Sequence, residues 1–147
     1  MARTALRMVQ GWREQKLLRC DVCIVGAGPI GLLLGNLLGR RGVSVVILEK
    51  QRETYDLPRA VHFDGEAMRV FQAAGLADQV LPHTMVGRGM LFKDMEDNVV
   101  VNWSRDQDIG PMGWHESNRC HQPGIEGALR SGLKRFDNVT LHTGVAA

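Results

Sequence analysis

The chain has 147 residues, of which 44% are hydrophobic and 23% charged. This composition is typical of one globular domain and excludes an intrinsically disordered chain. The formal net charge of +2 gives no support for nucleic acid or an acidic membrane as a partner. The positive excess lies in residues 1–19, where five basic residues stand against Glu14. Because this stretch lacks the continuous apolar segment of a secretory signal, we predict a solvated N-terminal arm.

Three cysteines, an odd number, favour a reducing compartment, and we predict a cytoplasmic location. Cys20 and Cys23 have a CxxC spacing. We predict no metal site there, because no second CxxC pair exists and Cys23 falls in an apolar strand. The segment 22–39 carries no charge, but its five glycines, its proline and Asn36 indicate a strand, a turn and a helix instead of a membrane span.

The N-terminal third of the chain is predicted to form a βαβ unit. In chain order, the sequence predicts a strand at 21–25, a turn at 26–31, a helix from Pro29 through Leu38, a stop at Gly42 and a strand at 43–48. Both strands are apolar throughout, which indicates a parallel pair buried on both faces. The fold class is therefore α/β.

The rest of the chain mixes helices and short strands. Residues 50–63 are polar and irregular, and 105–120 are predicted to form a loop. The sequence predicts a helix at 65–74, with Asp64 as its cap and Gly75 as its stop, and then a short helix at 76–81. A hairpin of 90–93 with 99–103 follows. The last predicted elements are a helix that begins at Pro123, with Ile125, Leu129, Leu133 and Phe136 on one side, and a strand at 139–142.

A GxGxxG motif, formed by Gly26, Gly28 and Gly31, follows the first strand and opens the helix. Glu49 lies 18 residues after Gly31, at the end of the second strand. Glycines here permit a tight turn, close approach of a pyrophosphate and close packing of helix on strand. The carboxylate can accept hydrogen bonds from ribose hydroxyls, and it would repel a 2′-phosphate. The pattern predicts a dinucleotide site, against the alternative of a glycine turn without a ligand.

Neighbouring residues complete the predicted cofactor-binding set. Pro29 and Ile30 lie within the motif, and Lys50 follows Glu49. The βαβ unit alone does not distinguish FAD from NAD, because both dinucleotides use the same fingerprint. An NAD-dependent dehydrogenase therefore remains an alternative on these residues.

Three segments resemble one family of flavoproteins. They are 26–50 (GAGPIGLLLGNLLGRRGVSVVILEK), 57–61 (LPRAV) with 63–76 (FDGEAMRVFQAAGL), and 120–126 (CHQPGIE). The resemblance, over about 20–145, is to the FAD-dependent aromatic-ring hydroxylases, nearest to the 3-(3-hydroxyphenyl)propionate hydroxylases. It implies a Rossmann-like FAD-binding domain over 20–147, with part of a substrate-domain insertion at about 85–118.

The resemblance also implies residue roles. Arg59 would contact the FAD pyrophosphate, and Gln122 would hydrogen-bond the flavin side of the cofactor. Their alternatives are a solvated loop arginine and a residue at a helix N-terminus. Arg52 is expected near the adenosine. The two tryptophans Trp103 and Trp114 are candidates to line a substrate pocket, with structural packing as the alternative.

The activity implied is hydroxylation of small phenolic or aromatic substrates with FAD, NAD(P)H and O2. No catalytic residue can be assigned. Two further family segments, which follow those three and carry a Gly-Asp and an Asp-Gly pair, do not occur, so we expect an N-terminal fragment that is inactive alone and poorly soluble. A non-enzymatic truncated binding fragment is the remaining alternative.

Overall fold

The computed structural model describes residues 4–7, 17–53, 60–105 and 107–146, with side chains from Leu18 onward. The chain divides into two compact units, one made of 1–57 with 123–147 and the other of 58–122. Among the helices of these ranges, none combines the length and apolar character needed to cross a membrane. The uncharged segment 22–39 instead divides into a strand, a turn and a helix, as predicted.

The elements follow one another closely along the chain. The first are β1 (Thr4–Arg7), β2 (Leu17–Cys20), β3 (Val22–Val25), α1 (Pro29–Gly39), β4 (Val45–Glu49), β5 (His62–Phe63), α2 (Gly65–Ala73) and α3 (Ala77–Val80). A 3-10 turn at Leu81–His83 precedes β6 (Thr84–Val86), β7 (Gly89–Lys93), β8 (Val99–Ser104), β9 (Asn118–Cys120), α4 (Gln122–Leu133) and β10 (Val139–Thr143).

The first unit is built on a parallel sheet with the order β10-β4-β3. Strand β4 lies in the centre, with Ile47 opposite Ile24 on one side and Leu141 on the other. Four consecutive residues of this strand, Val45 to Leu48, are buried, as predicted for a strand covered on both faces. The same prediction was wrong for β3, where only Ile24 is buried and Val25 is 71% exposed. This parallel arrangement brings the carboxyl ends of all three strands to one edge.

Helices α1 and α4 pack on one face of this sheet through small residues. A Cβ at Gly35 would lie 2.7 Å from Ile47 Cδ1 and 3.1 Å from Leu133 Cδ2. At Gly39 it would meet the Phe136 ring at 2.7 Å. The two glycines therefore permit close approach of helix to sheet, and a methyl group at either position would force neighbouring side chains to move.

A buried amide links α1 to α4. Asn36 is fully buried, and its Nδ2 donates to the carbonyls of Leu32 and Leu129 at 2.9 Å each. Its Oδ1 accepts from Arg135 Nη2 at 3.0 Å. Because a buried amide is costly unless its polar atoms are hydrogen-bonded, this network fixes the relative position of the two helices.

The opposite face of the sheet carries a second apolar cluster. Its buried members are Cys20, Val46 and Leu48, against which Leu18, Cys23 and Val145 pack. The cysteines of this cluster are free thiols, and burial raises the pKa of Cys23, with a further contribution from Cys20. Within the predicted N-terminal arm, β1 and β2 pair as an antiparallel ladder.

The second unit contains a short antiparallel sheet with the order β5-β9-β6. Helix α2 is capped as predicted, since Asp64 Oδ1 accepts from the Ala67 N–H at 2.9 Å, and Gly75 with φ +69° follows its end. The prediction of a loop over all of 105–120 was wrong at its end, because 118–120 form the central strand of this sheet. Strands of two or three residues have too few positions to show an alternating pattern.

The predicted hairpin is present as β7 and β8. Asp94 organises its turn: Oδ1 accepts from the backbone N–H groups of Glu96 and Asn98, and Oδ2 accepts from Asn98 Nδ2. Asp97 adopts a left-handed conformation with φ +70°. All six residues of β8 are exposed. The hairpin is thus held by its ladder and its turn, with little burial of side chains.

Candidate dinucleotide-binding site

The glycine motif forms a turn that only small residues can make. Gly26 has φ +104°, a conformation that residues with a Cβ rarely adopt. A Cβ at Gly31 would collide with the Gly26 carbonyl oxygen. In front of Gly28 there is open space, with nothing within 4 Å of where a Cβ would stand. The turn therefore packs tightly on its inner side and leaves its outer side open to a ligand.

The N-terminus of α1 is suited to an anion. Gly28 is the N-cap and provides no side-chain acceptor, Pro29 occupies the first turn, and that turn has no acidic residue. The first N–H groups of a helix have no acceptor within the helix, and the helix dipole places partial positive charge there. Phosphate groups bind at such ends for these two reasons. Ile30, beside the turn, is 79% exposed.

Glu49 connects the glycine turn to the end of β4. Its Oε2 accepts from the Ala27 N–H at 2.7 Å, and its Oε1 accepts from the Gln51 N–H at 2.8 Å. The bond from Gln51 is the largest cause that lowers the pKa of the carboxyl, and the bond from Ala27 and the charges of Arg130 and Lys50 act in the same direction. Partial burial opposes them. The group is therefore ionised at neutral pH and held in place.

A cleft of about 290 Å³ opens beside this carboxylate. It is lined by Val25, Gly26, Leu48, Glu49, Lys50, Val145 and Ala146. The last two residues follow β10 and continue its parallel pairing, since the Val145 N–H donates to the Glu49 carbonyl at 3.0 Å. Ligand pockets measure roughly 300–1,000 Å³, so this cleft suits one part of a larger ligand.

Val145 and Ala146 were not among the predicted site residues. The signal was present in the sequence, because the predicted strand at 139–142 belongs to the same parallel sheet as Glu49. Carboxyl ends of neighbouring parallel strands lie together, and ligands of such sheets bind at that edge. The order of the strands was needed to place β10 directly beside β4.

The structure brings together the predicted residues from Gly26 to Lys50, with the exposed Lys50 on the cleft wall. Gln122 is buried and is the first residue of α4, and it is also the last residue of the other unit, since the remainder of this helix belongs to the first unit. Its Oε1 accepts from the Ala60 N–H at 2.8 Å, so this amide has a structural partner. Arg59 lies outside the described residues. The cofactor contacts of both remain predictions.

The second unit has a cavity of its own, of about 200 Å³. Trp114 lines it, and the Trp114 indole N–H donates to Gln72 Oε1 at 3.1 Å. Arg105 also lines it, paired with Glu116 at 3.1 Å and lying 4.5 Å from the centre of the Trp103 ring. A substrate role for the two tryptophans remains a prediction.

A family model described as "FAD binding domain" matches residues 19–145. The chain therefore belongs to the family of FAD-binding domains found in aromatic-hydroxylase-type flavoprotein monooxygenases. It is 42% identical over 124 residues to the 3-(3-hydroxy-phenyl)propionate/3-hydroxycinnamic acid hydroxylase of Mycolicibacterium gilvum (strain PYR-GCK), covering 84% of this chain and 21% of that protein.

The protein of the same name from Paraburkholderia xenovorans (strain LB400) is 40% identical over 134 residues, which cover 91% of this chain and 21% of the relative. The chain thus spans about a fifth of the length of these curated relatives. The resemblance predicted from sequence is confirmed.

Solved structures share the fold. The p-nitrophenol 4-monooxygenase of Pseudomonas putida DLL-E4 superposes with a TM-score of 0.70 at 22% identity, covering 83% of this chain and 31% of that chain. The flavin-dependent monooxygenase PieE, solved with FAD and substrate, gives 0.68 at 23% identity and covers 85% and 24%. The predicted Rossmann-like α/β class is confirmed.

Proposed function

We propose that the cleft beside Glu49 binds the ADP half of FAD. The observation that carries this proposal is the position of the Glu49 carboxylate, which is hydrogen-bonded to the glycine turn and lines the same cleft as Gly26. Family membership supports FAD as the dinucleotide. The predicted contacts of Gly26, Gly28, Pro29, Ile30, Gly31, Glu49 and Lys50 are part of the proposal.

The pyrophosphate would lie over Gly28 at the start of α1. Open space in front of Gly28 and the uncapped N-terminus of the helix fit paired phosphate groups. Lys50, on the cleft wall, adds a positive charge. Arg59 would contact the pyrophosphate, and Gln122 would hydrogen-bond the flavin side of the cofactor.

The ribose of the adenosine would be held by Glu49. Each carboxylate oxygen already accepts one backbone N–H and retains a second lone pair, so it can also accept a ribose hydroxyl. The same negative charge disfavours a ribose that carries a 2′-phosphate. The adenine would then lie toward Val145 and Ala146, on the far side of Glu49 from the glycine turn.

For the whole protein, we propose an FAD-dependent monooxygenase that hydroxylates small phenolic or aromatic compounds with NAD(P)H and O2. The names of the relatives support an aromatic substrate. Bound FAD would supply the redox chemistry, and residues of this chain would bind and orient its adenosine end. We propose that these 147 residues bind the nucleotide but do not hydroxylate a substrate by themselves. The chain spans only about a fifth of the length of its relatives, which supports this proposal.

The test is a titration of the purified chain with FAD, ADP, NAD and NADP. We expect FAD and ADP to bind, and NADP to bind least tightly because of its 2′-phosphate. Glu49→Gln should weaken FAD by about ten- to a hundredfold, since a hydrogen bond to a charged group contributes roughly 1.5–3 kcal/mol. Glu96→Gln, at an exposed glutamate of the hairpin turn, is the matched control and should change nothing.

Preference for NAD over FAD would identify a dehydrogenase-type domain and overturn the proposal. Equal binding to wild type and Glu49→Gln would show that the nucleotide lies elsewhere. A nucleotide-binding chain that stays inactive with every phenol offered would agree with the proposed division between these residues and the rest of the enzyme.

A further inference from the structure

Arg52 and Gly144 contact each other close in sequence to residues that line the cleft, in an arrangement that the glycine motif does not explain. Gly144 has φ +73° and follows β10, and its N–H donates to the Gln51 carbonyl at 3.2 Å. A Cβ at this position would lie 3.1 Å from Arg52 Cγ and 3.4 Å from Arg52 Nε. The stem of Arg52 therefore lies on the side of Gly144 that a side chain would occupy.

This contact adjoins the part of the cleft where the adenine is expected. Val145 and Ala146, the two residues after Gly144, line the cleft, and so does Lys50, two residues before Arg52. Arg52 is exposed, and no hydrogen bond or salt bridge joins its guanidinium to another residue of the described ranges. Its planar cation is thus available to a ligand.

We propose that Arg52 recognises the adenine ring of the bound nucleotide, with its guanidinium stacked on the face of the purine. This inference rests on the proposed function of the cleft. A guanidinium is planar and weakly hydrated, so it stacks on aromatic rings more effectively than an ammonium group does. Gly144 serves this role indirectly, because a side chain there would displace the Arg52 stem.

The experiment compares ADP with UDP, which share the ribose and the diphosphate and differ in the base. The wild-type chain should bind ADP more tightly than UDP, because a purine offers the larger face for stacking. Arg52→Gln should weaken ADP by about two- to thirtyfold, the range expected for a cation–aromatic contact, and should affect UDP less. Arg52→Lys should retain part of the preference.

Arg41→Gln is the matched control, because Arg41 is an exposed arginine of the same unit whose side chain, among the described residues, bonds only the Leu37 carbonyl. It should leave both affinities unchanged. Gly144→Ala provides a second variant, and it should lower the ratio of ADP to UDP affinity. Combined with Arg52→Gln, its effect on that ratio should be less than additive, since both changes act on one contact.

The outcomes separate this inference from the proposed function. If Glu49→Gln weakens ADP while Arg52→Gln leaves the ADP-to-UDP ratio unchanged, the role of Arg52 is overturned and the nucleotide site stands. If the wild-type chain binds neither nucleotide, both the proposed function of the cleft and the role of Arg52 are overturned. A ratio that drops in Arg52→Gln, with an unchanged circular dichroism spectrum, supports the inference, because a merely structural role would lower both affinities equally.

Discussion

Two pairs of neighbouring strands in this chain have opposite surroundings. In the parallel pair β3–β4, strand β4 lies between two apolar layers, and Ile47 at its centre is fully buried. The antiparallel pair β7–β8 has the longer ladder, yet Val100 is 64% exposed and every residue of β8 is open to solvent. Backbone pairing is present in both, so the difference lies in what the side chains contact.

The comparison shows what stabilises each region. Removal of apolar surface from water contributes about 25 cal/mol per Å², whereas a hydrogen bond that replaces one to water contributes roughly 1 kcal/mol or less net. The first unit is therefore held by its core, and the hairpin by its ladder and the Asp94 turn. Isolated two-stranded hairpins are at best marginally stable in water. Substitutions should accordingly act very differently in the two places.

The largest effect is expected from truncation in the centre of the parallel sheet. Ile47→Ala removes a fully buried side chain that packs against Gly35, and it should lower the free energy of unfolding by about 2–5 kcal/mol. Leu91→Ala, at a 53% exposed residue of β7, should change it by about 0.5 kcal/mol or less. Urea unfolding followed by circular dichroism measures both. Equal losses would show that the hairpin is packed as tightly as the sheet.

A smaller effect is expected in the glycine turn. Gly31→Ala places a Cβ against the Gly26 carbonyl oxygen, and overpacking of this kind costs about 1–3 kcal/mol. FAD affinity should fall with it, because the turn must open to relieve the collision. Gly127→Ala, in the exposed part of α4 with open space around it, should instead stabilise by about 0.5–1 kcal/mol. Thermal melts with and without FAD distinguish the two.

The difference between these regions also explains what the sequence could predict. Uninterrupted apolar strands, the glycine spacing and Glu49 predicted the βαβ unit and its cleft, because burial on two faces leaves a strong pattern. The hairpin was predicted as well, from two short apolar runs on either side of a polar turn. Strands β5, β6 and β9 were missed, since runs of two or three residues show no period and their pairing depends on distant segments.

Side-chain partners were harder to predict than elements. Nothing in the sequence indicates that Gln122 accepts the Ala60 N–H, or that Arg52 lies on Gly144. Both contacts join residues far apart in the chain, and they depend on how loops close. Asn36 is similar: its position in a helix was evident, but its bond to Arg135 depends on the packing of α1 against α4.

The pH dependence of FAD binding is expected to follow Glu49. Its pKa is lowered from an ordinary value of 4.5, mainly by the Gln51 N–H, so the carboxylate form persists below that pH. Folded-state stabilisation from this group is present above pH 4.5 and is lost as the pH falls through the lowered pKa. FAD affinity should therefore be constant from pH 8 to about 5 and should weaken only at more acidic pH.

Fluorescence titrations at closely spaced pH values measure this dependence. In Glu49→Gln the acidic decline should disappear, because the amide does not titrate. A decline centred near pH 6 in both proteins would assign the titration to a histidine and contradict a role for Glu49. Such a result would leave the stacking role of Arg52 to be judged from the ADP-to-UDP ratio alone.

The smallest change in folding energy, and the largest in solubility, is expected on the hairpin. Phe92 and Val100 are 49% and 64% exposed, and exposed apolar strands promote edge-to-edge association. Phe92→Thr with Val100→Thr keeps the strand preference while removing apolar surface. The free energy of unfolding should change by about 0.5 kcal/mol or less per site, and the soluble fraction after centrifugation should rise.

A single substitution of the same kind in the sheet interior, at Val46, provides the contrast. Val46→Thr buries a hydroxyl in the cluster of Cys20 and Leu48, so it should destabilise by about 1–3 kcal/mol and lower the soluble fraction. If the hairpin variant instead unfolded as readily as Val46→Thr, its apolar residues would be packed in solution. The hairpin would then be covered by a second copy of the chain, which sedimentation of the wild type at increasing concentration would reveal.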